Sequence, residues 1–307
     1  MTNGVAQLLS LSEQKESCNL HTRRNFIALA AISSLSFAIG GCAHSEEQHP
    51  TKDEYQSMQS SDLSKMLDCF KGQERVPVNV IYIDKGSVDV QALSNELGTQ
   101  AISLASPTTY IDSLTTESVK SFFSSVGDDS SFISSFKIDN SNHTTLLSTL
   151  EALMNDKDSI IPTVILITST ESKTASRDEE MEEASELLSA LRSHNVMAIS
   201  STNVGNTKIS DYCCTCIDEV YAVTKCNYDG TPCSDSNFGD EKASIDYCVP
   251  SESTYEAASK LAGISAQLLS YGFSIDDIES TFEETGYAAT DESMQGKRVV
   301  SLKELCS

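Results

Sequence analysis

Four short runs of β-branched and apolar residues punctuate the chain. They are Val78 to Ile83, Ile160 to Ile167, Val196 to Ser200 and Val220 to Val223. None alternates strictly between polar and apolar positions, which is the pattern of strands covered on both faces. Between them the apolar period lengthens to three or four residues. Residues 115–125 and 144–154 read as helices, the second aligning Leu146, Leu150 and Leu153 on one side. A third helix is predicted after Ser176 and Glu179, which have capping-box spacing; Met181, Ala184, Leu188 and Leu191 form its apolar stripe. Tyr255 to Ser270 reads as a long helix with Ala257, Leu261, Ile264 and Leu268 inward. Ser274 with Asp277 opens a last helix carrying Ile278 and Phe282. A short helix is predicted near Asp62 to Phe70. Apolar strands alternating with amphipathic helices predict an α/β fold of three layers, a mostly parallel sheet with helices on both faces. Ligands on such sheets bind at the carboxyl ends of the strands.

The first 41 residues carry a different pattern. Arg23 and Arg24 precede a modestly apolar run from Phe26 to Ile39, which ends in Ile39-Gly40-Gly41-Cys42. This order resembles a twin-arginine export signal closed by a lipobox, with residues 1–41 removed and diacylglycerol added to the Cys42 sulfur. The apolar run falls short of the roughly 20 residues a membrane span needs. Residues 42–75 then read as a lipid-bearing tether and a leading helix, 76–286 as the main domain and 287–307 as a tail. The expected location is the cell membrane, facing outside the cytoplasm.

Composition narrows the partners. The chain holds 21 Lys and Arg against 45 Asp and Glu, a formal charge of -24. Such a surface repels phosphate backbones, so nucleic acid is not an expected partner. Of the ten cysteines, Cys18 leaves with the signal and Cys42 takes lipid. That leaves Cys69, Cys213, Cys214, Cys216, Cys226, Cys233, Cys248 and Cys306. An even number in an exported chain points to disulfides, whose pairing the sequence leaves open. No His lies among the cysteines between 213 and 248, and the two-residue spacing usual for zinc occurs once, from Cys213 to Cys216, with no second such pair to complete a site. No metal or cofactor is expected.

The strand ends carry a resemblance. Ile81-Tyr82-Ile83-Asp84-Lys85-Gly86, then Val196 to Asn203, then Asp229-Gly230 and Ser236-Asn237-Phe238-Gly239, and finally Ser253-Thr254-Tyr255 leading to Leu261-Ala262-Gly263, follow one another in order. From about Val76 to Gly286 this resembles a subtilisin-like serine protease domain. The resemblance places Asp84 at the triad Asp, Asn203 at the oxyanion Asn and Tyr255 at the nucleophile. It also implies a His at the start of the first long helix, where this chain has Thr115-Thr116-Glu117-Ser118.

These departures shape the functional expectation. Acyl transfer needs a hydroxyl whose proton a neighbouring base removes. Without nucleophile or base the rate falls by about a millionfold. Asp84 can then be read as ending a strand and Asn203 as supporting a left-handed bend. Ser251 and Ser253 are N-cap candidates. His143 precedes a helix and His194 follows one, neither where the base belongs. The expectation is an inactive, surface-displayed binding or scaffolding module with a protein or peptide ligand. The alternatives are an active serine endopeptidase with a divergent triad, a solute-binding lipoprotein, which needs two similar lobes, and a thiol-redox protein, for which the one Cys-x-x-Cys spacing runs from Cys213 to Cys216 inside the cysteine-rich segment.

Overall fold

The computed structural model describes residues 70, 72–84, 102–104, 113–126, 130–139, 146–156, 159–168, 178–211, 214–228, 230–240, 243–285, 287–288 and 298–299. Among them are nine strands of one sheet. These are β1 (Val78–Ile83), β2 (Ile102–Leu104), β3 (Ile133–Asp139), β4 (Thr163–Ile167), β5 (Val196–Ser201), β6 (Val220–Cys226), β7 (Tyr247–Pro250), β8 (Tyr287–Ala288) and β9 (Arg298–Val299). Their order is β2-β3-β1-β4-β5-β6-β7-β9-β8. Every pairing is parallel except that of β8 with β9. Every residue of β4, β5 and β6 is buried, which is why those runs read as continuously apolar.

Among the described residues five helices cover the sheet: α1 (Ser113–Val126), α2 (Leu146–Asn155), α3 (Asp178–Leu191), α4 (Thr254–Ser270) and α5 (Ile275–Thr285). One face packs Val119, Phe122 and Phe123 of α1, Leu261 and Leu268 of α4, and Ile278 and Phe282 of α5 against Val80, Tyr82, Leu166, Ile199 and Val223. The other packs Leu146 and Leu150 of α2 and Ala184, Leu188 and Leu191 of α3 against Ile165, Ile167 and Ala198. The predicted helix stripes face the sheet, with Leu153 and Met181 only half-buried, and the α/β fold with helices on both faces is observed. The strands among the described residues form one sheet.

Ser274 and Asp277 cap α5 reciprocally. The Asp277 amide donates to Ser274 Oγ at 3.2 Å, and the Ser274 amide donates to Asp277 Oδ2 at 2.9 Å. Arg192, in the turn after α3, bonds Asp276 at 2.7 Å and Glu279 at 2.6 Å, and donates to Tyr221 Oη at 3.0 Å. Those contacts hold α5 to the amino ends of β5 and β6. At the entry to β1 the guanidinium of Arg75 lies 3.6 Å from the Phe132 ring centre and 4.6 Å from that of Tyr271. Phe70 stacks on Tyr271 at 4.5 Å.

The structure adds elements that the pattern of apolar runs did not reveal. β3 buries Ile133, Phe136 and Ile138 while Ser134 and Lys137 face outward, so its polar half obscured it. β7 and the short β2, β8 and β9 offer too few residues for a period to register. The sheet also continues past residue 286 through β8 and β9. Ser176 of the predicted capping box, Cys42, His143 and the helix predicted near 62–70 lie outside the described residues, Phe70 excepted. Among the described residues no helix is long and apolar enough to cross a membrane.

α1 and α4 pack with their backbones close together at Gly263. A Cβ on Gly263 would come within 2.7 Å of the Phe122 carbonyl oxygen and 2.8 Å of Ser125 Cβ. Gly263→Ala is therefore expected to destabilise the protein by about 1–3 kcal/mol, since two helix backbones must separate to admit one methyl group. Urea denaturation of wild type and variant measures it, and an unchanged midpoint would contradict the close approach.

Candidate functional site

Parallel register sets the carboxyl edge of the sheet. Ile83 pairs with Ile167, Ile167 with Ser200, and Ser201 with Val223. Asp84, Thr168 and Thr202 follow at the strand ends, and β7 feeds through Pro250 into α4. Asp84, Asn203 and Tyr255 thus lie along one edge of the sheet, on β1, after β5 and at the start of α4.

Asp84 is engaged from within the fold. Period-two geometry puts Tyr82 and Asp84 on the same face of β1, and the Tyr82 hydroxyl donates to Asp84 Oδ2 at 3.1 Å. Thr168 Oγ1 donates to the same hydroxyl at 3.0 Å, and Ser118 of α1 hydrogen-bonds it too. Burial first, and then the negative charge of Asp84, push the Tyr82 phenol well above its ordinary range and keep it protonated. α1 therefore brings Ser118, rather than an imidazole, to this buried pair.

Asn203 sits at φ 61°, in the left-handed region, and its amide donates to Ser201 Oγ at 3.2 Å. The loop beyond it is stapled by Asn237. Asn237 Nδ2 donates to the Thr202 carbonyl at 2.7 Å, while its Oδ1 accepts from the amide and the hydroxyl of Thr207, both at 3.0 Å. Thr202 itself is fully buried, and its hydroxyl has no hydrogen-bond partner among the described residues.

At the start of α4, Ser253 is the N-cap, accepting from the Glu256 amide at 3.1 Å. The Glu256 carboxylate turns back to accept from the Glu252 amide at 3.0 Å. These bonds satisfy the Glu256 and Glu252 amides and set a carboxylate at the positive end of the helix dipole. Tyr255 is the second residue of the helix and is half-buried. Ser251 does not cap the helix: its Oγ is buried without a hydrogen-bond partner among the described residues.

Two lysines flank Ser251. Lys225 Nζ, on β6, donates to the Glu252 carbonyl at 3.3 Å and to Asp235 Oδ2 at 2.8 Å. Lys260 Nζ, on α4, donates to the Pro250 carbonyl at 3.2 Å and pairs with Glu256 at 3.0 Å. These contacts use both lysines as donors, whereas a general base must accept a proton. His194 lies on the 3-10 turn Arg192–His194 before β5, at the amino end of the sheet and so away from this edge. No group of three or more His, Cys, Asp or Glu able to hold a metal ion occurs among the described residues.

Sequence reasoning missed Tyr82, Lys225 and Asn237 as site residues. Tyr82 could have been found by counting two residues back from Asp84 along one strand face. Lys225 is a lone cation inside an otherwise apolar strand, which is itself a signal.

With this geometry in hand, comparison with solved structures is informative. A lanthipeptide protease superposes with a TM-score of 0.58 at 13% identity, covering 81% of this chain and 94% of that one. The prenylagaramide maturation protease PagA gives 0.57 at 15% identity, covering 80% and 98%. A cold-adapted subtilisin-like serine proteinase gives 0.51 at 12% identity, covering 74% and 89%. The chain therefore has the α/β fold of subtilisin-like proteases. No family model matches the chain, and neither does any curated protein.

The Lys225 contact makes a titration prediction. The hydrogen bond from Lys225 holds the Asp235 carboxyl below its ordinary 3.8, ahead of the opposing effect of burial. A depressed acid contributes stability above its unfolded pKa and loses it as pH falls through the folded one. Lys225→Met is expected to move Asp235 up toward 3.8, followed by carboxyl-carbon NMR. An Asp235 titration identical in wild type and variant would remove the pairing.

Proposed function

We propose that this chain is an exported lipoprotein whose subtilisin-like domain does not hydrolyse peptides and serves outside the cytoplasm as a binding or scaffolding module for a protein or peptide. Lipid on Cys42 holds it to the membrane, on the strength of Arg23-Arg24, the apolar run and Ile39-Gly40-Gly41-Cys42. The observation that carries the loss of activity is the start of α4. There Tyr255 replaces the attacking alcohol, and the helix terminus is closed by Ser253 and Glu256. A phenol in this position has the wrong reach, and the buried Tyr82 hydroxyl occupies Asp84.

The solved proteases of similar fold favour one competing reading, an active serine endopeptidase, and Ser251 gives it a specific candidate nucleophile. Its buried hydroxyl has no partner among the described residues. Both nearby lysines donate instead to carboxylates and carbonyls, so the base is missing and the inactive reading is preferred.

Fluorophosphonate labelling of the purified chain separates the two. No adduct is expected on the wild type or on Tyr255→Ser, because restoring an alcohol does not restore its base. An adduct on Ser251 that disappears in Ser251→Ala would establish the peptidase reading. Anchoring has its own readout. Cys42→Ser is expected to move the protein from the membrane to the soluble fraction, and continued membrane retention of the variant would refute lipidation there.

A further inference from the structure

Period-two alternation splits the side chains of β6 and β7 between two faces. Tyr221, Val223, Tyr247 and Val249 enter the core beneath α4. Ala222, Cys226 and Cys248 point the other way, into a separate buried cluster with Ile209, Ala243 and Ile245. Cys216 packs against this cluster from the 3-10 turn Cys214–Cys216. Three cysteines therefore belong to one small apolar cluster on the face opposite α4.

Register limits their pairing. Cys248 lies opposite Thr224, and Cys226 lies opposite Pro250. The two strand cysteines are thus diagonal, about 8 Å apart at Cα by strand spacing and rise. That exceeds the span a disulfide bridges without backbone movement. Cys216 approaches from the loop side, half-buried, with its thiol directed at the Ser210 carbonyl at 3.1 Å. Cys226 ends β6 and forms a backbone bridge to Pro232 of the following turn. The segment leading to Cys248 instead runs beside the first half of β6, where the Asp246 amide donates to the Ala222 carbonyl at 2.9 Å and Asp246 Oδ2 accepts from the Ala222 amide at 2.8 Å. That is the half of β6 into which the Cys214–Cys216 turn leads through Ile217 and Val220.

We propose that Cys216 and Cys248 are a disulfide-forming pair that clips the loop after Asn203 to β7. The Cys216 thiolate attacks an external disulfide, forming a mixed disulfide and expelling one thiolate. The Cys248 thiolate then attacks the Cys216 sulfur and expels the second. Two protein thiols are oxidised to one disulfide as the external disulfide is reduced to two thiols. The bond would fix the back of the edge that carries Asn203 and Ser251. Its formation in the cell rests on the export reading, which supplies the oxidising compartment; its geometry does not.

The full chain, reduced and still folded, is incubated with oxidised glutathione, alkylated and mapped by tandem mass spectrometry. Linked Cys216 and Cys248 peptides are expected, persisting in Cys226→Ser and absent in Cys216→Ser. Reductant is expected to lower the melting temperature by several degrees in wild type and to leave that of Cys216→Ser unchanged. A Cys216–Cys226 link, or alkylation of both Cys216 and Cys248 after oxidation, overturns the pair. Mapping protein recovered from its native cells keeps the two readings apart. A pair that closes with glutathione but is reduced in cells supports the pairing and sinks export.

Discussion

Helix α4 lies buried along nearly its whole length, and that placement constrains everything around it. A helix so enclosed needs small side chains where its neighbours press closest. Ala257, Ala258, Ala262, Gly263 and Ala266 supply them, with Gly263 meeting the backbone of α1 directly. Gln267 then reaches across to the Ser125 and Val126 carbonyls that end α1, satisfying acceptors that a helix terminus leaves open. One helix thereby fixes α1, the sheet and the start of its own first turn.

Because α4 is fixed, its amino end is fixed too, at the carboxyl edge beside β5 and β6. In a catalytic version of this architecture the edge would hold an alcohol, a base and unsatisfied donors. Here the same edge is closed upon itself. Glu256 satisfies the helix start, Tyr82 bonds Asp84, Asn237 holds the loop after Asn203, and two lysines grip the carbonyls around Ser251. Such contacts tie this edge to the body of the fold.

Much of this was legible in the sequence. The four β-branched, apolar runs became β1, β4, β5 and β6, because strands covered on both faces are apolar at most positions. The stripes of α2, α3 and α4 and the Ser274–Asp277 cap follow from helical period and capping chemistry, which are local. β3 escaped because only one of its faces is buried, and β7 because four residues hold no period.

The sequence by itself determined the α/β alternation, the acidic charge, and the Tyr at the head of α4 with no His at the head of α1. Each is a property of residue identity and short-range spacing. Tertiary structure alone decided that Tyr82 would bond Asp84, that Lys225 and Lys260 would flank Ser251, and that Cys216, Cys226 and Cys248 would share one cluster. Those partners stand from two to more than thirty residues apart in the chain. Strand alternation sets Tyr82 beside Asp84, and the parallel register of the sheet with the two helix layers over it gathers the others.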